Sequence, residues 1–139
     1  MADTHETAAQ HLVRIYPSEP ISAREAREFV TAEVRHAAAR NSVFDNVGLL
    51  VSELVTNAIQ HGDGSAIVVS IDHRSDTHFL VTVTSGVAAN RPPLDPANWM
   101  AAPLDQPSGR GLDIVRQLAD DTEVTLVADR LGITCRLRR

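Results

Sequence analysis

The sequence predicts an α+β fold, a two-layer α/β sandwich with helices on one face of a mostly antiparallel mixed sheet. Three observations predict it: β-rich runs occur in adjacent pairs, helical apolar spacing recurs between the pairs, and a doubly wound strand–helix alternation is missing. The chain has 139 residues, 43% of them apolar, which suits one domain with a substantial core. We expect a loose leader over residues 1–10 and a single domain over residues 11–139.

The first predicted elements are an edge strand and an amphipathic helix. Residues 11–16 alternate in polarity and are followed by two prolines, which is typical of a strand at the edge of a sheet. Ser22 and Glu25 then match a capping box, and apolar residues recur at helical spacing after them. The pattern predicts a helix over residues 23–40.

A second helix is the most regular element of the chain. Ser42 and Asp45 match another capping box, and Gly62 supplies a stop at the other end. The apolar stripe between them consists of Val43, Val47, Leu50, Val51, Leu54, Val55, Ala58 and Ile59. This spacing predicts a long helix that buries one face against a sheet.

The remaining elements are two strand pairs, separated by a loop and a helix. Residues 65–71 and 78–85 are rich in β-formers and flank a polar turn, so they predict an antiparallel pair. Residues 111–121 return to helical spacing, and 123–128 with 132–138 predict a closing hairpin.

The loop between Gly86 and Gly109 differs in composition from the rest of the chain. It contains five of the seven prolines and the single tryptophan, and it shows no periodicity. A loop of more than about 15 residues inside a compact domain is usually a functional lid or a disordered segment.

Composition excludes several classes of function. The formal net charge is -5, which argues against a nucleic-acid or anionic-membrane partner. All 13 basic residues are arginine, which excludes lysine Schiff-base chemistry and the lysine-bearing phosphate loop. No apolar run approaches the roughly 18 residues of a membrane span, and we find no signal peptide pattern. With Cys135 as the single cysteine, these features predict a cytoplasmic protein.

Three polar residues lie in one row along the second predicted helix. Glu53, Asn57 and His61 are spaced by four residues, so they form a narrow stripe beside the apolar face. An amide oxygen is a hard ligand for Mg²⁺, a carboxylate one turn earlier can orient or activate a water, and an imidazole can donate to a phosphate. Spacing alone favours the simpler interpretation that Glu53 and Asn57 are solvated helix positions.

A second segment, Ser108 to Leu112, ends the proline-rich loop and opens the next helix. Helix starts present unpaired backbone N–H groups, and Gly109 and Gly111 allow an anion to approach the backbone closely. The simpler interpretation, a flexible loop end with glycine near the helix start, fits equally well. Arg110, between the two glycines, either reaches a phosphate or is solvated.

Together these segments resemble the ATP-binding (GHKL) family shared by histidine kinases, gyrase and Hsp90. The chain is most similar to its small bacterial branch of anti-sigma-factor serine kinases and their actinobacterial relatives. "LLVSELVTNAIQHG" is similar to the family's asparagine box, "SGRGLDIVRQLAD" to its second glycine box, and "GITCRLR" to its final strand. The resemblance covers roughly residues 10–139 and implies a Bergerat-type, histidine kinase-like ATP-binding domain over residues 11–139.

The resemblance implies roles for particular residues. Glu53 corresponds to the catalytic base or water-orienting acid, and Asn57 to the Mg²⁺ ligand. The remaining residues that correspond to ATP-contacting positions are His61, Ser85, Gly86, Ser108, Gly109, Arg110, Gly111, Leu112 and Thr134, the last expected near the adenine.

One position departs from the family pattern. The family's first glycine box begins with an aspartate that accepts a hydrogen bond from adenine, whereas this chain has Ser85 there. Replacing a charge-assisted hydrogen bond by a neutral one weakens binding by about 1 to 2 kcal/mol.

The resemblance implies Mg²⁺ and ATP as cofactors and serine/threonine protein kinase activity on a separate partner. That partner is an anti-sigma-factor antagonist or a sigma factor, in a partner-switching system that regulates transcription, and the family often forms homodimers. The alternative is a non-enzymatic interaction module of the same fold that has lost nucleotide binding. Ser85 favours this alternative, and the intact Glu53 and Asn57 favour the enzyme.

Overall fold

The computed structural model describes residues 10–37, 41–87 and 107–139. Inside the helices, the side chains of residues 41–44 and 107–112 lie outside this description. Three predicted features also fall outside it: the leader up to residue 9, the end of the first helix at 38–40, and the proline-rich loop over 88–106.

The described residues form five strands and three helices. In chain order they are β1 (His11–Tyr16), α1 (Pro20–His36), α2 (Asn41–His61), β2 (Ile67–Asp72), β3 (His78–Gly86), α3 (Pro107–Leu118), β4 (Asp121–Val127) and β5 (Arg130–Arg138). Every predicted strand and helix is therefore present, within a few residues of its predicted bounds.

The five strands make one sheet in the order β1-β2-β3-β5-β4. All four pairings are antiparallel, in agreement with the predicted mostly antiparallel sheet. Alternate residues of β2, β3 and β5 are buried, and these join buried residues of the helices in one hydrophobic core. The helices therefore lie on one face of the sheet, and β1 is an edge strand, both as predicted.

The start of α1 differs from the prediction. The helix begins at Pro20, with Glu19 at the N-cap position and no side-chain cap, so the capping box predicted at Ser22 is wrong. The Ser22 hydroxyl instead donates to the backbone oxygen of Pro17 at 2.6 Å, inside the first turn. Proline at the first helical position is pre-organised for a helix, and here it determines where α1 begins.

The other two helices also begin slightly before their predicted starts. Helix α2 begins at Asn41, one residue before the predicted cap, and ends at His61 directly before Gly62, as predicted. Helix α3 begins at Pro107, so Ser108 to Leu112 form its first turns and do not precede it as a loop.

Two hairpins join strands that are consecutive in the chain, β2 with β3 and β4 with β5. The turn between β4 and β5 has two residues, fewer than predicted, and Ala128 adopts a positive φ of 55° there.

Within the described part of the chain, no helix combines the length and apolar character needed to cross a membrane.

Candidate functional site

The polar stripe of α2 lies beside the buried face of that helix. The core-facing side chains are Val47, Leu50, Val51, Leu54, Val55 and Ala58, each at most 6% exposed. Glu53 and His61 are half-buried, while Asn57 is only 6% exposed. The stripe is therefore not a solvated helix face, at least at its central position.

Asn57 has an unusual hydrogen-bonding state. Its Oδ1 atom is buried and accepts no hydrogen bond from any part of the chain that the structure describes. By contrast, the buried Ser22 hydroxyl is paired with a backbone oxygen. Leaving a buried acceptor unpaired costs about 1–3 kcal/mol, so such a group in a folded protein calls for a further partner such as a water, an ion or a ligand. An amide oxygen is a suitable ligand for Mg²⁺.

The end of α2 meets the end of β3 directly. Gly62 and Val87 form an isolated antiparallel bridge, and the backbone N–H of Asp63 donates to the Gly86 oxygen at 3.2 Å. A side chain on Gly62 would crowd that same Gly86 oxygen and the Ala58 oxygen, so the close approach requires glycine there.

This junction brings Ser85 and Gly86 next to the last turn of α2. Ser85 is 7% exposed and lies on the helix-facing side of β3, in the same alternation as the core residues Val81 and Val83. The two predicted segments on α2 and β3 therefore belong to one region of the molecule.

Helix α3 brings the third predicted segment to the same side of the sheet. It packs against α2, and Val115 on its second half is fully buried in the common core. Ser108, Gly109 and Arg110 occupy its first turn, where backbone N–H groups have no partner within the helix. Helix starts of this kind favour anions because of both these N–H groups and the helix dipole.

Thr134 does not join the other predicted residues. It lies on the sheet face opposite the helices, where its hydroxyl is 2.9 Å from the Thr82 hydroxyl on the neighbouring strand. Its neighbours Ile133 and Cys135 are the ones that face the core. The expectation that Thr134 contacts an adenine is wrong, because Asn57 and Ser85 lie on the other side of the sheet.

Sequence reasoning missed a polar cluster on this opposite side, formed by Asp63, Ser65 and Arg130. Asp63 accepts hydrogen bonds from the Ser65 hydroxyl at 2.5 Å and the Ser65 backbone N–H at 2.9 Å. These bonds, with a smaller contribution from the Arg130 charge, lower the pKa of the exposed Asp63 carboxyl. The polar turn "GDGS" was the only local signal, and it gave no indication of Arg130, 65 residues beyond Ser65.

Metal binding at this site would depend on few protein ligands. Among the described residues, no group of three or more His, Cys, Asp or Glu side chains is placed to hold a metal ion. Mg²⁺ characteristically takes one or two protein oxygens and completes its shell with waters and substrate phosphates. The single unpaired oxygen of Asn57 fits that donor set.

Comparison with known proteins agrees with this arrangement. The chain matches the family described as histidine kinase-like ATPase domain over residues 16–138. The chain belongs to this family. The match spans every strand and helix of this histidine kinase-like ATPase domain except most of β1. A search of curated proteins gives no significant match.

Two solved structures share the fold. The first contains the RsbU and RsbW domains of a protein from Mycobacterium tuberculosis, with a TM-score of 0.69, 20% identity, and coverage of 92% of this chain and 32% of that chain. The second is the SiaB-SiaC complex from Pseudomonas aeruginosa, with a TM-score of 0.71, 17% identity, and coverage of 98% and 95%. This histidine kinase-like ATPase domain thus spans about a third of the mycobacterial chain, and at these identities the likeness concerns the fold.

Proposed function

We propose that this domain binds Mg-ATP and acts as a regulatory serine/threonine protein kinase on a separate partner protein. The observation that carries the proposal is the buried Oδ1 of Asn57, unpaired among the described residues, on the same side of the sheet as the start of α3. Membership of the histidine kinase-like ATPase family supports ATP as the ligand.

Each part of the nucleotide has candidate partners in this arrangement. The Asn57 oxygen would hold Mg²⁺, and a bound Mg²⁺ would supply neutralisation of phosphate charge. The backbone N–H groups at the start of α3, over Ser108 to Leu112, cradle the phosphates, and His61 donates a further hydrogen bond. Ser85 and Gly86 lie at the base-binding end, where the serine hydroxyl accepts a single neutral hydrogen bond.

Glu53 is one helical turn from Asn57 and is the proposed general base. Its carboxylate accepts the proton of a partner serine or threonine hydroxyl as that oxygen bonds to the γ-phosphorus. The bond from the γ-phosphorus to the β–γ bridging oxygen breaks, and ADP leaves. Glu53 is half-buried, so part of its side chain is accessible to a protein substrate.

The proposed partner is an anti-sigma-factor antagonist or a sigma factor, in a cytoplasmic partner-switching system that regulates transcription. Two fold neighbours bear on this proposal: one contains an RsbW domain beside an RsbU domain, and the other is a complex of two proteins. A homodimer is part of the same proposal, which rests on the family resemblance.

One observation favours a second function, a protein-interaction module without nucleotide. Ser85 is buried where the family pattern has an acid, so the base-binding end lacks a charged acceptor at that position. The loss of about 1 to 2 kcal/mol is small beside the energy of a nucleotide with several phosphate contacts, and we therefore favour the kinase.

Thermal unfolding with and without nucleotide tests the proposal. A ligand at about 100 times its dissociation constant stabilises the folded state by roughly 2.7 kcal/mol. We expect millimolar Mg-ATP to raise the Tm of the wild-type domain, and Asn57→Ala to remove the magnesium-dependent part of that rise while the domain stays folded. An unmoved Tm at millimolar Mg-ATP would favour the interaction module.

A further inference from the structure

The junction between α2 and β3 is closed on its outer side by three hydrogen-bonded residues. Asp63, two residues after the end of α2, bonds to Ser65 through both the hydroxyl and the backbone N–H of that serine. Arg130, the first residue of β5, donates to the Ser65 hydroxyl at 3.0 Å. We call Asp63, Ser65 and Arg130 the junction cluster.

Arg130 connects the junction cluster to the residue that precedes β2 and to strand β3. Its Nη2 atom donates to the backbone oxygen of Ala66 at 3.2 Å and of Thr84 at 3.4 Å. Ala66 immediately precedes β2, and Thr84 immediately precedes Ser85 on β3. One guanidinium therefore fixes the loop after α2 against the end of β3, which a single-point ammonium cannot do as well.

The backbone of Gly86 lies directly against the Asp63 carboxylate. A methyl group added to Gly86 would overlap the Asp63 carboxylate. The φ of Gly86 is not positive, so alanine would cause no backbone strain there. The requirement for glycine is steric, since the carboxylate of Asp63 occupies the volume that a side chain at position 86 would take.

The junction cluster lies close to the proposed nucleotide site without facing it. Thr84, Gly86 and Arg130 belong to the sheet face opposite the helices, whereas Ser85 faces the helices. Asp63 is nevertheless bonded through its backbone N–H to Gly86 and follows His61 by two residues. A displacement of Asp63 therefore moves the last turn of α2 relative to the end of β3.

We propose that Asp63 and Arg130 are positioning residues that set the spacing between Asn57 and His61 on α2 and Ser85 and Gly86 on β3. They thereby determine nucleotide affinity without contacting the nucleotide. This inference rests on the proposed Mg-ATP binding. Small displacements of a binding geometry have large effects, since a misplacement of 1 Å can cost about a hundredfold in an enzyme's rate.

A double-mutant cycle on Asp63 and Gly86 tests the inference in the full chain. We expect Asp63→Ala and Gly86→Ala each to weaken Mg-ATP binding about tenfold in calorimetric titration. The double variant is expected to bind as the single variants do, because both changes remove the same carboxylate from the same place. Additive losses would mean that the effect of Gly86→Ala does not act through the Asp63 carboxylate, and they would overturn the inference.

Conservative and control variants separate positioning from general stability. Asp63→Asn keeps an oxygen that accepts a hydrogen bond from Ser65, so this variant should retain most of the affinity for Mg-ATP. Arg130→Lys should lose affinity for Mg-ATP, because one ammonium group cannot reach Ser65, Ala66 and Thr84 together. Arg136→Ala is the matched control, on the same strand and face, where the Arg136 side chain makes an exposed ion pair with Asp121 at 3.8 Å. Its affinity should equal that of the wild type at temperatures well below unfolding.

The outcomes distinguish this inference from the proposed function. If wild-type protein binds Mg-ATP and Asp63→Ala binds equally well, the inference fails alone. An equal loss in Arg136→Ala would also overturn it, because general surface charge would then explain the effect. If the wild type binds no Mg-ATP, the proposed function and the inference both fail.

Discussion

Replacing Asn57 by leucine should make the nucleotide-free domain more stable while removing its ability to bind Mg-ATP. The buried Oδ1 has no partner in the described structure, which costs about 1–3 kcal/mol. Leucine has a similar shape and carries no polar atom, so it removes this cost, and overpacking offsets part of the gain. We expect a net stabilisation of about 1–2 kcal/mol.

The size of the Tm change follows from the length of the chain. At about 2.1 cal/mol/K per residue, 139 residues give an unfolding entropy of about 0.29 kcal/mol/K. A gain of about 1–2 kcal/mol therefore raises Tm by roughly 3–7 °C. Differential scanning calorimetry without nucleotide measures this rise, and a second scan with Mg-ATP should show no further increase for Asn57→Leu.

Ser22→Ala is the matched control for this substitution. Ser22 is also buried, but its hydroxyl is hydrogen-bonded to Pro17 O, so its removal should destabilise the domain by about 1 kcal/mol. A loss of stability in nucleotide-free Asn57→Leu comparable to that in Ser22→Ala would refute the reasoning. The amide would then be a satisfied structural group and not one poised for a ligand.

Three other predictions concern separate parts of the molecule. Glu53→Gln should leave Mg-ATP affinity within about threefold and lower basal ADP formation by about a hundredfold, since it removes the proposed base; unchanged turnover would exclude that role. Burial raises the pKa of the Cys135 thiol to about 12, so the folded state keeps a proton that the unfolded state loses from about pH 9 upward. Stability should therefore fall by about 1 kcal/mol between pH 9 and pH 10 in urea titrations, and Cys135→Ala should lack this component; identical pH slopes would contradict the assignment. Ala128→Gly should stabilise the domain by about 0.5–1 kcal/mol, because glycine adopts the φ of 55° at this position without the steric strain of alanine. The greater conformational entropy of glycine in the unfolded chain offsets part of this gain. A destabilised variant would show that Ala128 is not strained.

Local patterns in the sequence predicted which helices and strands exist better than they predicted the residues at which these begin and end. The apolar stripe of α2 was sufficient for that helix because every stripe residue from Val47 to Ala58 is buried in the common core. The predicted start of α1 was wrong because two helix-start signals, Pro20 and the capping box at Ser22, compete within three residues. Proline with its fixed φ prevailed, and Ser22 became a buried residue of the first turn.

The candidate site was predictable only in part. The stripe of Glu53, Asn57 and His61 depends on helix geometry alone, so its direction followed from the sequence. The placement of Thr134 was wrong although a signal was present: Ile133 and Cys135 are apolar and alternate with it, which directs Thr134 to the other face. The contact of Arg130 with Ser65 depends on strand order and register across 65 residues, which no local pattern encodes.

Calorimetric titration of ATP into the wild-type domain and into Asn57→Leu, each with and without Mg²⁺, tests the central claim most directly. We expect saturable, magnesium-dependent binding of ATP to the wild type, weaker binding of ADP, and no magnesium-dependent component for Asn57→Leu. Absence of binding to the wild type at millimolar ATP, or equal magnesium dependence in both proteins, would contradict the assignment of Asn57 and the nucleotide site built around it.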